Sequence, residues 1–197
     1  MYKIFCVTNR RLVEGDFSGQ LERIAKAGVS GIILREKDLR QPEYENLAEQ
    51  ARAACDPYGT LLILHTFTDV ARRLGIRRIH LPYPVFDAME PGDRVWFDQI
   101  GVSVHSLQEA RNAEQTGASY LSAGHIYETD CKKDLPPRGL SFLAEVCRSV
   151  SIPVYAIGGI HPQNAKSCIE AGAEGVCLMS PLMRTKDPEK YLEEFTD

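Results

Sequence analysis

The sequence carries no HExxH, no Walker loop, no GxSxG and no GxGxxG after its first apolar run. Zinc hydrolysis, P-loop ATP chemistry and serine hydrolysis on a nucleophile elbow therefore lack local support, and neither a metal nor a cofactor is expected. Cys-x-x-Cys pairs are absent as well. The six cysteines, Cys6, Cys55, Cys131, Cys147, Cys168 and Cys177, are spread along the chain, mostly inside apolar runs. Buried reduced thiols in a cytoplasmic protein explain them best. No apolar stretch approaches the ~20 residues that span a bilayer. The opening MYKIFCVTNRR runs directly into a strand-like segment, without the charged region and long apolar core of a secretory leader. Basic residues do not predominate: 23 Lys and Arg stand against 27 Asp and Glu, with a formal net charge of −4. Both signs are scattered, so neither nucleic acid nor a membrane surface is an expected partner, and a small molecule is.

What the chain does have is length and alternation. With 197 residues, 44% of them hydrophobic, it is long enough to bury one substantial core, and a single domain over 1–197 is expected. Short runs rich in β-branched and large apolar residues recur at Ile4 to Val7, Gly31 to Leu34, Leu61 to Leu64, Arg78 to Leu81, Gly101 to Val104, Tyr120 to Ala123, Val154 to Ile157 and Gly175 to Leu178. Stretches of helical spacing lie between them at Gly19 to Ala27, Pro42 to Cys55, Asp69 to Leu74, Leu107 to Gln115, Ser141 to Ser149 and Pro162 to Ala171, and after the last at Pro188 to Phe195. Glycines at 28, 117 and 172 stop helices just before a new strand. Strands separated by helices pair in parallel with right-handed crossovers, and eight such units close into a compact (β/α)8 TIM barrel, with an open doubly wound sheet as the structural alternative. Pro82 to Asp98, with three prolines, Gly92 and the only tryptophan, Trp96, is expected to be an irregular connection.

In such a barrel the chemistry sits at the carboxyl ends of the strands. Those positions are Thr8 and Asn9 after the first strand; Arg35, Glu36 and Lys37 after the second; His65, Thr66 and Thr68 after the third; Ser103 and His105 on the fifth. The sixth leads to Gly124, His125 and the loop IYETDCKKDLPPRGL, the seventh to Gly158 and Gly159, and the eighth to Met179 and Ser180. Glycines after strand seven, with the turn after strand eight, suit close backbone approach to a phosphate. Arg35 suits a bidentate oxyanion contact, against a reading as a solvated rim charge. Lys132 and Lys133 lie in a loop long enough to reach over the barrel mouth. His125 stands one residue beyond the sixth apolar run, where a neutral imidazole can exchange protons. His65 and His105 alternate with their strands so as to line the same pocket as Thr8, whereas His80 and His161 read as structural or incidental.

The stretches ILREKD at 33–38, GVSVHSLQEA at 101–110, SAGHIYETDCKKDLPPRGL at 122–140 and PVYAIGGI at 153–160 together resemble the thiamine phosphate synthase superfamily, over nearly the whole chain. Within it, GHIYETDCKK is more similar to thiazole tautomerase than to the synthase. The resemblance to a synthase would imply magnesium held against a departing pyrophosphate by hard oxygen ligands. Here the synthase's Asn-Asp pair is replaced by His65 and Thr66, the acidic ligand is missing from LPYPVF, and the glutamine before LREK is Ile33. The tautomerase resemblance implies a cofactor-free proton shift on a carboxylated thiazole phosphate, with His125 as the catalytic shuttle and Arg35, Lys37 and Lys132 on anionic groups. Thr129, Gly158, Gly159 and Ser180 would hold the phosphate, with Ser103 as a further substrate contact, and a homodimer is expected. Three alternatives remain: a synthase-like transferase, a non-catalytic regulatory protein binding phosphates of the same pathway, and an unrelated phosphate-binding barrel isomerase.

Overall fold

In a computed structural model, which describes residues 2–129 and 135–195, eight strands are hydrogen-bonded in chain order into a closed ring. They are β1 (Lys3–Val7), β2 (Gly31–Leu34), β3 (Leu61–His65), β4 (Arg78–Pro82), β5 (Gln99–Val104), β6 (Tyr120–Gly124), β7 (Val154–Ile157) and β8 (Gly175–Leu178). With helices between successive strands, this is the (β/α)8 barrel expected from the alternation, and the open sheet is excluded. By internal contacts the chain falls into two compact units, residues 3–79 with 178–197, and residues 80–177.

The first unit holds β1 to β3 with α1 (Phe17–Lys26), α2 (Gln41–Cys55) and α3 (Thr68–Leu74), and the carboxyl-terminal helices of the chain. Asp16 caps α1 by accepting from the Ser18 and Gly19 amides at 3.0 and 2.9 Å. Leu21, Ile24 and Ala25 of α1, at i, i+3 and i+4, are buried, as helical spacing requires. Inside the strands, register solves a packing problem: Phe5 lies opposite Gly31, and a methyl group at Gly31 would come within 2.8 Å of the Phe5 ring.

In the second unit the same device recurs. Gly101 lies opposite Tyr120 and Tyr155 opposite Gly175. A methyl group on Gly101 would sit 2.1 Å from Tyr120 Cζ, so the ring occupies space that only a missing side chain leaves. Tyr120 and Tyr155 then meet edge to face at 5.5 Å.

The segment after β4 departs from the expected irregular connection, because it forms two short helices, α4 (Tyr83–Asp87) and α5 (Pro91–Arg94). Each has a proline in its first turn, where a missing N–H costs nothing. The Arg94 guanidinium donates to the Phe86 and Asp87 carbonyls at 3.0 and 3.3 Å, supplying donors that the end of α4 lacks. It also lies 4.5 Å over the buried Phe86 ring.

All five described cysteines are free; Cys6, Cys55, Cys168 and Cys177 are buried and Cys147 is partly so, while Cys131 lies outside the described residues. Burial pushes the Cys55 and Cys177 thiols up to about 12. A folded-state value above the unfolded one of 9.0 stabilises the fold fully below pH 9, and that contribution is lost as pH rises toward 12. Urea midpoints measured against pH are expected to hold up to about pH 8.5 and then fall. The fall is expected to be shallower in a Cys55→Ala/Cys177→Ala variant.

Candidate active site

At the carboxyl ends of β1 and β2, charge is organised around one buried carboxylate. Glu36 is 3% exposed and accepts from the Thr8 hydroxyl at 2.7 Å, the Arg10 amide at 2.9 Å and the Arg10 guanidinium at 3.0 Å. Arg10 also grips Asp38 with two bonds of 2.7 Å, and Arg11 adds one of 2.8 Å. The Arg10 hydrogen bonds hold the Asp38 carboxyl well below the usual carboxylate range. Thr8, expected to line the pocket, is instead fully buried, and its hydroxyl accepts from the Arg35 amide at 2.9 Å. Arg35 is half-buried and Lys37 exposed on the loop so formed.

The end of β3 is built from an imidazole and a hydroxyl. His65 is buried, and its Nδ1 lies 2.8 Å from Thr66 Oγ1. Its amide donates to the hydroxyl of Tyr44, which α2 carries inward and which itself donates to the Leu34 carbonyl. Thr66 has φ = 70°, a left-handed conformation that costs a β-branched residue about 1–2 kcal/mol. Such outliers cluster where function fixes the backbone.

In the second unit, Ser103 belongs to a polar cluster that the sequence did not disclose. His80 Nε2 is 2.8 Å from Ser103 Oγ and 3.2 Å from Ser122 Oγ, Ser122 donates to Ser103 at 3.1 Å, and His80 Nδ1 meets the Tyr120 hydroxyl at 3.1 Å. His80, read from sequence as structural or incidental, is thus the centre of this cluster. Ser103 and Ser122 share a register position, and each stands two residues beyond Gly101 and Tyr120, so alternation was the signal that pointed there. His105 sits at the end of β5, where its amide donates to Glu109 at 2.6 Å and its Nδ1 lies 3.7 Å from that carboxylate.

Past β6, His125 is buried, and its Nε2 lies 3.1 Å from the Leu135 carbonyl. A carbonyl only accepts, so this nitrogen carries the proton. The loop it begins runs against the glycines after β7: Ile126 and Tyr127 amides donate to the Ile157 and Gly158 carbonyls at 3.0 Å each. Gly158 and Gly159 have φ of 100° and 67°. A methyl group at Gly158 would lie 2.3 Å from His125 Cβ, and one at Gly159 2.3 Å from the Glu128 carbonyl oxygen. The close approach that demands these glycines is therefore made by the neighbouring loop. Thr129 is half-buried on that loop, and Lys132 lies outside the described residues. Ser180, in the other unit, opens a five-residue helix, Ser180–Arg184.

A family model described as thiamine monophosphate synthase (TMP-TENI) matches residues 4–182. The chain belongs to this family. It is 33% identical over 195 residues to the thiamine-phosphate synthase of Syntrophomonas wolfei, covering 95% of this chain and 91% of that one. It is likewise 33% identical over 184 residues to the thiamine-phosphate synthase of Clostridium acetobutylicum, covering 92% and 87%. Among solved structures, thiamine phosphate pyrophosphorylase from Pyrococcus furiosus superposes with a TM-score of 0.83 at 29% identity, covering 98% of this chain and 93% of that one. The family places the chain among enzymes of thiamine biosynthesis.

These relatives overturn the tautomerase reading. Full-length similarity runs to proteins named as synthases, and the proton shuttle assigned to His125 goes with the activity that required it. The departures of GHIYETDCKK from the synthase pattern are confined to a few loop positions, whereas the agreement runs along nearly the whole chain. Those departures still bear on magnesium. The ion takes oxygen ligands in near-octahedral array, whereas β3 ends in His65 and Thr66 bonded to each other, and β4 runs into Pro82, Tyr83 and Pro84. Glu36 and Asp38 are committed to arginines, and among the described residues no three His, Cys, Asp or Glu side chains converge. These residues do not fit a magnesium site. No helix among the described residues is long and apolar enough to cross a membrane.

The glycine contacts give a test of the loop packing. Gly158→Ala combines a left-handed backbone with a clash, whereas Gly15→Ala, at φ = 96° with open space around it, isolates the backbone effect. Gly15→Ala is expected to cost about 1–2 kcal/mol, and Gly158→Ala about 1–3 kcal/mol more. Denaturant melts of the two variants measure the difference.

Proposed function

We propose that this enzyme is a transferase of the thiamine-phosphate synthase type, joining a pyrimidine carried as its pyrophosphate to a thiazole phosphate. The bond from the pyrimidine's carbon to pyrophosphate breaks as the bond to the thiazole forms, and pyrophosphate departs. The observation that carries this reading is one-third identity, over nine-tenths of the chain, to relatives bearing that name. Negative charge accumulates on the leaving group as the bond breaks, so fixed cations near it favour the transition state more than the ground state. Arg35, with a planar fork suited to paired oxyanions, and Lys37, as a point charge, supply that charge from the loop after β2.

A second reading rests on one observation, the His65–Thr66 pair and the Pro-rich end of β4 where a synthase would hold its metal. On it, the protein binds the phosphates of this pathway without turning them over and acts as a regulator.

Incubation with the pyrimidine pyrophosphate and thiazole phosphate, with and without added magnesium, separates the two. Thiamine phosphate and pyrophosphate are expected in equal amounts, with Arg35→Ala lowering kcat/KM by about 10²-fold, the scale of losing one charge-stabilising donor. Saturable binding of thiazole phosphate with no product in either arm favours the regulator.

A further inference from the structure

We propose that Thr8 and Glu36 are positioning residues, which fix the loop after β2 so that Arg35 and Lys37 are presented to the anionic part of a ligand. The proposal rests on the reading that Arg35 and Lys37 meet that anion; it adds the device that aims them. A carboxylate buried to 3% exposure is costly unless its lone pairs are filled. Here three donors fill them, two from Arg10 and one from Thr8.

The direction of the bonds follows from this. Glu36 accepts from the Arg10 amide and guanidinium, and the single proton of the Thr8 hydroxyl also goes to it, at 2.7 Å. The Thr8 oxygen then presents its lone pairs to the Arg35 amide, which donates at 2.9 Å. The result is a one-way chain, Arg35 amide to Thr8 hydroxyl to Glu36, strengthened by the charge at its end. Arg10 extends the hold by bridging Glu36 and Asp38, with Arg11 also on Asp38. The loop is thereby pinned at residues 35, 36 and 38 to the segment 8–11, and Lys37 stands between two pinned neighbours. Ordering the backbone before a ligand arrives removes part of the entropy cost of closing two long cationic side chains on it.

Thr8→Val keeps the β-branched shape and removes the hydroxyl; Thr8→Ser keeps the hydroxyl; Glu36→Gln keeps the shape and removes the charge. Calorimetric titration with inorganic pyrophosphate reads each, alongside the melting temperature. Thr8→Val and Glu36→Gln are expected to weaken pyrophosphate binding by about tenfold, while Thr8→Ser restores it. Adding Thr8→Val to Arg35→Ala is expected to cost little beyond Arg35→Ala alone, because a positioning residue has nothing left to position. In the synthase assay the loss is expected in kcat as well as in KM for the pyrimidine pyrophosphate, because the cations being aimed act on the charge that develops as the bond breaks. The proposal is overturned if Thr8→Val and Glu36→Gln bind pyrophosphate like the unaltered protein, if Thr8→Ser is as weak as Thr8→Val, if the losses from Thr8→Val and Arg35→Ala add in full, or if the unaltered protein binds none. Thiamine phosphate formed by a protein indifferent to these variants sinks the positioning device alone. Pyrophosphate binding that depends on Thr8, with no product formed, sinks the synthase reading alone.

Discussion

Two buried aromatic rings depend on a glycine directly across the strand register, a third faces one, and much else in the strands follows from that. Phe5 faces Gly31, Tyr120 faces Gly101 and Tyr155 faces Gly175. Short strands leave little length in which to fill an interior, and a large ring beside an empty position fills it at near-crystal density where two medium side chains would compete. The constraint is sharp, since the Gly101 position has no room even for a methyl group. It also fixes register, because a one-residue slip would set each ring against a residue with a side chain.

Polar chemistry begins one layer along from these rings. Ser103 and Ser122 stand two residues beyond Gly101 and Tyr120 and so face the same way, and His80 joins them while also touching the Tyr120 hydroxyl. Tyr120 therefore has two roles, an apolar body in the packed layer and a hydroxyl at the floor of the polar one. Burial raises its phenol well above the ordinary value, so the floor stays neutral and keeps a proton to share. The two units differ in how they organise polarity. One uses a cluster of hydroxyls around an imidazole, and the other a clamp of opposite charges.

Most of the strands were legible because an apolar run bounded by glycine or polar residues is a strong local signal. β2, β7 and β8 match residue for residue, and β3 gains only His65. The helices after β4 were not legible: α4 and α5 are too short to show a period, and what supports the end of α4 is Arg94 reaching back across the chain to its carbonyls. The site was legible in outline and not in roles. Glu36 in ILREKD looks like one more rim charge, since its partners Thr8 and Arg10 are more than twenty residues away. Gly158 and Gly159 signal a close approach without saying what approaches, and the 124–128 loop is one partner that only the structure names. The family was legible and its branch was not, for a few unusual loop residues outweighed the agreement of the whole chain.

The clamp after β1 and β2 explains why acidic residues belong in a segment read as binding anions. Residues 8–11 and 35–38 carry four cationic side chains, Arg10, Arg11, Arg35 and Lys37, and two acidic ones, Glu36 and Asp38. Left to themselves, four cations on adjoining loops would repel one another and splay. Glu36 and Asp38 engage Arg10 and Arg11, so the segment keeps an excess of positive charge while its repulsion is contained. Guanidinium charge does not titrate near neutrality, and Asp38 stays ionised far into acid. The Arg10–Asp38 pair thus stays charged on both sides far into acid. In the synthase reading this matters most where β3 and β4 offer no hard-ligand site: the charge that a leaving pyrophosphate needs then has to come from protein cations, and cations stabilise a transition state only when their geometry is set beforehand.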